Sequence, residues 1–145
     1  MEILFLLSGQ TNEDYLKQGI EIYKSRVNHY VKFDIKEVKL NKKEQKKEPE
    51  EQIKKEGAAL LKQIKSTDFV VLLDEHGQEL TSKKFAAFLQ KKMNAGIKRI
   101  VFVVGGAYGF DKQMKERANA EIAVSRMTFP HQLVRLLFLE QLYRA

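Results

Sequence analysis

Three short stretches of this chain carry residue types from which a ligand site or a catalytic centre can be built. The first is Ile100-Val-Phe-Val-Val-Gly-Gly-Ala-Tyr-Gly-Phe-Asp, ending at Asp111. Its apolar half reads as a strand. Gly105 and Gly106 then remove the Cβ atoms at the strand end, Gly109 permits a positive φ, and Phe110 can anchor the loop. Such a backbone cradle sits where open α/β sheets place their ligands. It is not the dinucleotide fingerprint G-x-G-x-x-G, because the first glycines are adjacent, and it lacks the Gly-Lys-Ser/Thr that would hold a triphosphate and Mg²⁺. A plain tight turn with no ligand is the other open reading of these residues.

The second stretch is Val70-Val-Leu-Leu-Asp-Glu-His-Gly. Asp74, Glu75 and His76 cluster at a strand end and could act as acid, base or metal ligands. Adjacent positions cannot all point into one site, so a turn closed by Gly77 is the favoured reading of His76. The third is Val124-Ser-Arg-Met-Thr-Phe-Pro-His-Gln. Pro130 suits the first turn of a helix, Thr128 can cap it, and the free N–H groups at such a helix start can accept a carboxylate or phosphate. Ser125 has no paired base, which argues against nucleophilic catalysis. His131, on its own, reads more readily as a capping or packing residue.

These stretches must be positioned by regular elements, and the apolar pattern supplies them. Strand-like runs occur at Ile3 to Leu7, Phe33 to Val38, Phe69 to Leu73 and Ile100 to Val104, with a weaker fifth at Glu121 to Val124. Three are nearly continuous in apolar residues, as in a parallel sheet covered by helices on both faces, whereas Phe33-Asp-Ile-Lys-Glu-Val alternates like an edge. Helical spacing recurs at Asp14 to His29 (stripe Tyr15, Ile22, Tyr23, Val27), Glu50 to Ile64 (Ile53, Leu60, Leu61, Ile64) and Ser82 to Met93 (Phe85, Phe88, Leu89). Thr11 or Asn12 is placed to cap the first, Pro49 to open the second, and Thr81 or Ser82 to cap the third. The alternating order, ending in a short helix, a strand and a last helix, predicts an α/β fold with a mainly parallel sheet. The last helix, about His131 to Ala145, is apolar on more than one face, so it is a central core helix, part of an interface with a second subunit, or both.

At 145 residues the chain reads as one domain, able to remove roughly 70% of its unfolded surface from water without a disulfide or metal staple. With no cysteine, a disulfide framework, a thiolate nucleophile and a Cys-ligated metal are excluded. The opening Met-Glu-Ile-Leu-Phe-Leu-Leu-Ser has an acid where a signal peptide carries lysines, and its apolar run is too short for a signal core or membrane span. A net charge of +7 and a pI near 9.5 favour an anionic partner such as RNA. Much of the lysine, however, is interleaved with acids between Leu40 and Lys65, Glu56 among them, which a solvated, salt-bridged helix explains equally well. Lys39 to Glu48 is polar and without period, and is expected to be disordered or to touch RNA.

Together, Leu72-Leu-Asp-Glu-His-Gly, Val104-Gly-Gly-Ala-Tyr-Gly-Phe, Ser125-Arg-Met-Thr-Phe-Pro-His-Gln-Leu-Val-Arg and Glu140-Gln-Leu-Tyr-Arg-Ala closely resemble the RlmH-type ribosomal RNA large-subunit methyltransferases, and the likeness, including Lys55-Glu-Gly, runs over essentially the whole chain. The resemblance implies a single SPOUT methyltransferase domain over residues 1–145, an α/β fold whose C-terminal part threads a trefoil knot, acting as a cytoplasmic homodimer. It implies methyl transfer from S-adenosylmethionine, without a metal, to N3 of a pseudouridine in helix 69 of 23S rRNA, on the large subunit or whole ribosome. The family's cofactor contacts fall on Leu73, on Gly105 with Gly106 beside it, and on Val124, Ser125, Arg126, Met127, Thr128 and Phe129. That chemistry makes His131 and Arg135 the candidate catalytic residues: His131, or an acid near Asp74, could assist loss of the N3 proton, and Arg135, one helical turn on, could neutralise a phosphate or developing anion. The family usually continues past Tyr143-Arg-Ala into a short tail ending near a Tyr-His pair; that tail is apparently absent here. A catalytically incomplete RNA-binding module is therefore the alternative, and a small-molecule binder without an RNA partner is a third reading.

Overall fold

A computed structural model describes residues 1–40, 48–106, 109–124 and 131–145. The chain order is β1 (Glu2–Ser8), α1 (Asp14–Asn28), β2 (Lys32–Val38), α2 (Pro49–Leu61), β3 (Phe69–Glu79), α3 (Ser82–Asn94), β4 (Arg99–Val104), α4 (Lys112–Arg117), β5 (Ala120–Ala123) and α5 (His131–Arg144). The strands form one five-stranded sheet in the order β2-β1-β4-β3-β5, every pairing parallel. Both sheet faces are covered, which is why Ile3 to Leu7 of β1, Phe69 to Leu73 of β3 and Ile100 to Val104 of β4 read as unbroken apolar runs. Ile3, Phe5, Leu7, Val71, Ile100 and Phe102 pack on one side with residues of α1, α3 and α5. Leu4, Leu6, Val70, Leu72, Val101 and Val103 pack on the other with Leu60 of α2 and Met114 of α4. Right-handed crossovers account for this division. The steps β1 to β2 and β3 to β4 run one way along the sheet and the steps β2 to β3 and β4 to β5 run the other, so their helices fall on opposite faces.

β2 pairs with β1 alone among the described strands, so the alternating Phe33-Asp-Ile-Lys-Glu-Val is an edge as its pattern predicts. Thr81 caps α3, its hydroxyl accepting from Lys84 N–H at 3.1 Å. Two expectations for α1 are corrected. Its buried stripe is Leu16, Ile20 and Val27 with Tyr23 beside them, whereas Tyr15 and Ile22 are exposed; the apolar face is turned by about one residue from the predicted one. Its N-cap is Glu13, without a side-chain bond; the Thr11 hydroxyl and the Asn12 backbone N–H are engaged by α5 instead. Most of the Lys39 to Glu48 segment lies outside the described residues.

α5 is a core helix. Phe138 sits 4.9 Å from the Phe5 ring and 4.8 Å from Phe102, centroid to centroid, and Leu139 and Leu142 are buried with it. Full burial of each such side chain stabilises by roughly 1.5–3 kcal/mol. Leu133, Val134 and Leu137, on the outer face of the same helix, are only half-buried. At the N-terminal end of the sheet, Arg99 grips Asp68 through Nε (2.9 Å) and Nη2, and Arg117 Nη2 donates to the Asp68 carbonyl at 3.0 Å. This knot of charge lies at the far end of the strands from the glycines and is structural.

Candidate functional site

The connection from β1 leaves toward β2, and the connection from β4 leaves toward β5. β1 and β4 are neighbours, so the sheet has its topological switch point between them, the place where open α/β sheets leave a crevice at the carboxyl ends of the strands. Two loops flank that crevice. One is the Gly105–Gly106 corner after β4; the other is Ser8 to Asn12 after β1.

The glycine corner is a close-packed device. Gly106 pairs with Gly109 across an antiparallel bridge, and Gly109 N–H donates to the Gly106 carbonyl at 3.2 Å. Gly109 has φ +84°, a conformation that only glycine adopts readily. A Cβ on Gly105 would stand 2.9 Å from the Gly109 carbonyl oxygen, so the doubled-back chain leaves no room for a side chain there. Beyond it Asp111 caps α4, accepting from Met114 N–H at 3.0 Å.

Leu73 lies in register between Val104 of β4 and Ile122 of β5. The predicted cofactor residues Leu73, Gly105, Gly106 and Val124 therefore gather at the carboxyl ends of β4 and β5 and at the last pairing of β3 with β4. Ser125, Arg126, Met127, Thr128 and Phe129 lie outside the described residues. Beside Val124 is a cavity of about 240 Å³, lined by Thr81, Phe85, Ile122, Phe138 and Gln141 among others, with the Ser82 hydroxyl donating to Gln141 Oε1 at 2.8 Å.

Directly after Leu73 the pairing with β5 slips, and both Leu73 and Gln78 stand opposite Ile122. Asp74 to Gly77 form the resulting bulge. Asp74 Oδ1 accepts from His76 N–H at 3.0 Å and lies 3.2 Å from its Nδ1, while the His76 ring is largely exposed. The expected turn closed by Gly77 is corrected: β3 does not stop at Leu73 but runs on to Glu79, and these residues are a bulge within it held by the aspartate side chain, because the strand resumes pairing with β5 at Gln78. Gly77 is required there, because a Cβ would stand 2.7 Å from backbone atoms of Glu121 and Ile122.

His131 opens α5; its side chain is outside the description. Arg135, one turn on, is completely buried. Its Nη1 donates to Thr11 Oγ1 at 2.8 Å and its Nη2 to the Ser8 carbonyl at 2.9 Å, and Glu37 Oε2 lies 3.8 Å away. The same Glu37 oxygen accepts from Thr11 N–H. Gln132 completes the clasp: its Oε1 accepts from Asn12 N–H at 3.1 Å and its Nε2 donates to the Gln10 carbonyl at 3.0 Å. Burial pulls the Arg135 pKa below its ordinary value and the Glu37 charge opposes that, so the guanidinium stays charged. Each Nη group makes a hydrogen bond inside the protomer.

Sequence reasoning missed this clasp, whose partners are more than a hundred residues apart, and it missed Glu56. That residue stands on α2 among solvated charges in the sequence, yet it is half-buried against Gly106. Only the Lys55-Glu-Gly triplet pointed at it. Among the described residues no group of three His, Cys, Asp or Glu side chains could hold a metal ion.

Comparison with known proteins gives the same result over the whole chain. A family model described as "Predicted SPOUT methyltransferase" matches residues 1–145. The chain is 44% identical over 145 residues to a protein of Christiangramia forsetii named ribosomal RNA large subunit methyltransferase H, covering all of this chain and 92% of that protein. Proteins of the same name from Parabacteroides distasonis (44% over 151 residues) and Porphyromonas gingivalis (43% over 145 residues) match with the same coverage.

Proposed function

The chain belongs to the SPOUT methyltransferase family, and from that premise we propose that it methylates N3 of a pseudouridine in helix 69 of 23S rRNA, with S-adenosylmethionine as donor. The supporting observation is the gathering of Leu73, Gly105, Gly106 and Val124 at one end of a parallel sheet. A side-chain-free corner brings backbone close to a nucleoside, and Leu73 and Val124 supply apolar walls, so the residues present fit the donor. Ser125 to Phe129 are proposed to complete its binding.

When bound, S-adenosylmethionine supplies an electrophilic methyl group on a sulfonium. The protein's task is to aim N3 at that methyl and let the N3 proton leave. Orientation of two bound reactants can contribute up to roughly 7–11 kcal/mol. The proton is assigned to His131, at the start of α5. Arg135 serves the same end of the site through the clasp: by tying the first turn of α5 to Ser8 and Thr11 it fixes where the backbone of His131 stands. Its charge is thereby used for position.

The reading includes a trefoil knot in the C-terminal part, a homodimer, the cytoplasm as compartment, and the large subunit or the whole ribosome as substrate. The half-buried Leu133, Val134 and Leu137 of α5 support the dimer, since an isolated protomer leaves them without a full apolar partner. The charge of +7 supports a ribosomal RNA partner. No helix of the described residues is long and apolar enough to cross a membrane. The test is transfer of labelled methyl from S-adenosylmethionine to purified large subunits and ribosomes, with a pseudouridine-deficient substrate as control. Label mapped to N3 of the helix 69 pseudouridine is the expected result; no transfer and no calorimetric donor binding would refute it.

A further inference from the structure

Glu56 is a half-buried acid that stands directly behind the glycine corner. A Cβ on Gly106 would lie 2.7 Å from Glu56 Oε2 and 3.0 Å from Oε1, so the carboxylate occupies the space that a side chain at Gly106 would need. Gln52, one turn earlier on α2, donates from Nε2 to Glu56 Oε1 at 3.0 Å and holds the carboxylate in place. Oε2 is shut from water and has no hydrogen-bond partner among the described residues. A buried acceptor without a donor lowers the stability of the free protein, so folding alone gives no reason for a carboxylate there.

The next residue extends the contact. Gly57 is buried, and a Cβ there would stand 2.5 Å from Asp111 Oδ1, the carboxylate that caps α4. The Glu56–Gly57 step of α2 therefore touches the chain both where it leaves β4 and where it enters α4, with the Gly105 to Phe110 loop between. α2 and α4 pack on the same face of the sheet, which keeps this backing rigid.

We propose that Glu56 is a positioning residue of the methyl-donor site: it backs Gly106 and sets the shape of the corner that the donor's nucleoside meets. The proposal rests on the assignment of the glycine corner as the donor site. Glu56 acts through Gly106 and makes no contact with the reacting atoms.

The experiment is calorimetric titration of wild type, Glu56→Ala and Glu56→Gln with S-adenosylhomocysteine, together with melting temperatures and donor kinetics. Glu56→Ala removes the backing and should weaken binding about tenfold, a change equal to 1.4 kcal/mol. Glu56→Gln keeps the bulk and should stay within about threefold of wild type. Glu56→Gln should not melt below wild type, because Oε2 has no partner to lose, whereas Glu56→Ala also gives up the Gln52 bond and should melt slightly lower; in both, any defect should fall on KM for the donor rather than on kcat. Unchanged affinity in Glu56→Ala, or an affinity loss that tracks a fall in melting temperature in both variants, overturns the proposal. Wild type failing to bind S-adenosylhomocysteine overturns the donor-site assignment and this proposal with it, which separates the two failures.

Discussion

Replacing Arg135 by methionine tests the clasp that joins α5 to the β1–α1 loop. The side chain is completely buried, so methionine of similar length fills most of its volume and the cavity contribution is small. What disappears is the Nη1 bond to Thr11 Oγ1, the Nη2 bond to the Ser8 carbonyl and the attraction to Glu37 at 3.8 Å. Removing one member of a buried charged network costs about 3–5 kcal/mol. Two facts reduce that figure: Glu37 is 38% exposed and can rehydrate, and the desolvation of the guanidinium, whose Nε has no partner among the described residues, is relieved. A net loss of about 2–3 kcal/mol is expected, which for a chain of this size lowers the melting temperature by roughly 5–10 °C. The chain has no tryptophan, so urea unfolding followed by far-ultraviolet circular dichroism is the appropriate assay. Thr11→Val should cost about 1 kcal/mol. The double variant should lose less than the sum of the two, because Thr11 and Arg135 share a bond. Arg135→Met unfolding within about 0.5 kcal/mol of wild type would refute the reasoning, since surface substitutions outside any network behave that way.

Gly77→Ala should destabilise the protein by roughly 1–3 kcal/mol and speed amide exchange in β5, because the added methyl meets the backbone of Glu121 and Ile122 at 2.7 Å and can be accommodated only by moving a strand. Unaltered exchange at Ile122 would show that the β3 bulge gives way instead. Burial pushes the Asp68 carboxyl pKa up, but the hydrogen bond from Arg99, the Lys65 N–H and the charges of Arg99 and Lys65 outweigh it, and the net value lies below the ordinary one. A depressed carboxyl contributes its stability above the unfolded pKa and loses it as pH falls through the folded one, so the contribution is complete above about pH 4 and fades below it. Asp68→Asn, which cannot ionise, should therefore be less stable than wild type at pH 7, with the gap closing below about pH 4. Acid titration of both proteins by circular dichroism checks this; a gap that stays constant contradicts it.

Much of this fold is written locally. Ile3 to Leu7, Phe69 to Leu73 and Ile100 to Val104 are continuous in apolar residues because both faces of each strand are covered, and that property is visible in a few consecutive letters. The glycine corner is legible for the same reason, since Gly105 and Gly109 are required by a tight reversal within five residues. Thr81 reads as a cap because its bond reaches only to Lys84. The family likeness rests on such contiguous segments too. What the tertiary structure alone decided is everything whose partner is distant along the chain. Thr11 and Asn12 have the composition of caps, yet Gln132 and Arg135 claim them across more than a hundred residues. The buried face of α1 turned by one position because α5 packs beside it, and periodicity fixes the spacing of a stripe but not the direction of its partner. Glu56 looks like any charge in a lysine–glutamate run until α2 crosses behind Gly106. Strand order belongs to the same class, for a parallel pair is joined through a crossover rather than a hairpin. A sequence can state that a residue is apolar, charged or conformationally free, but which distant group satisfies it depends on the path of the chain between them.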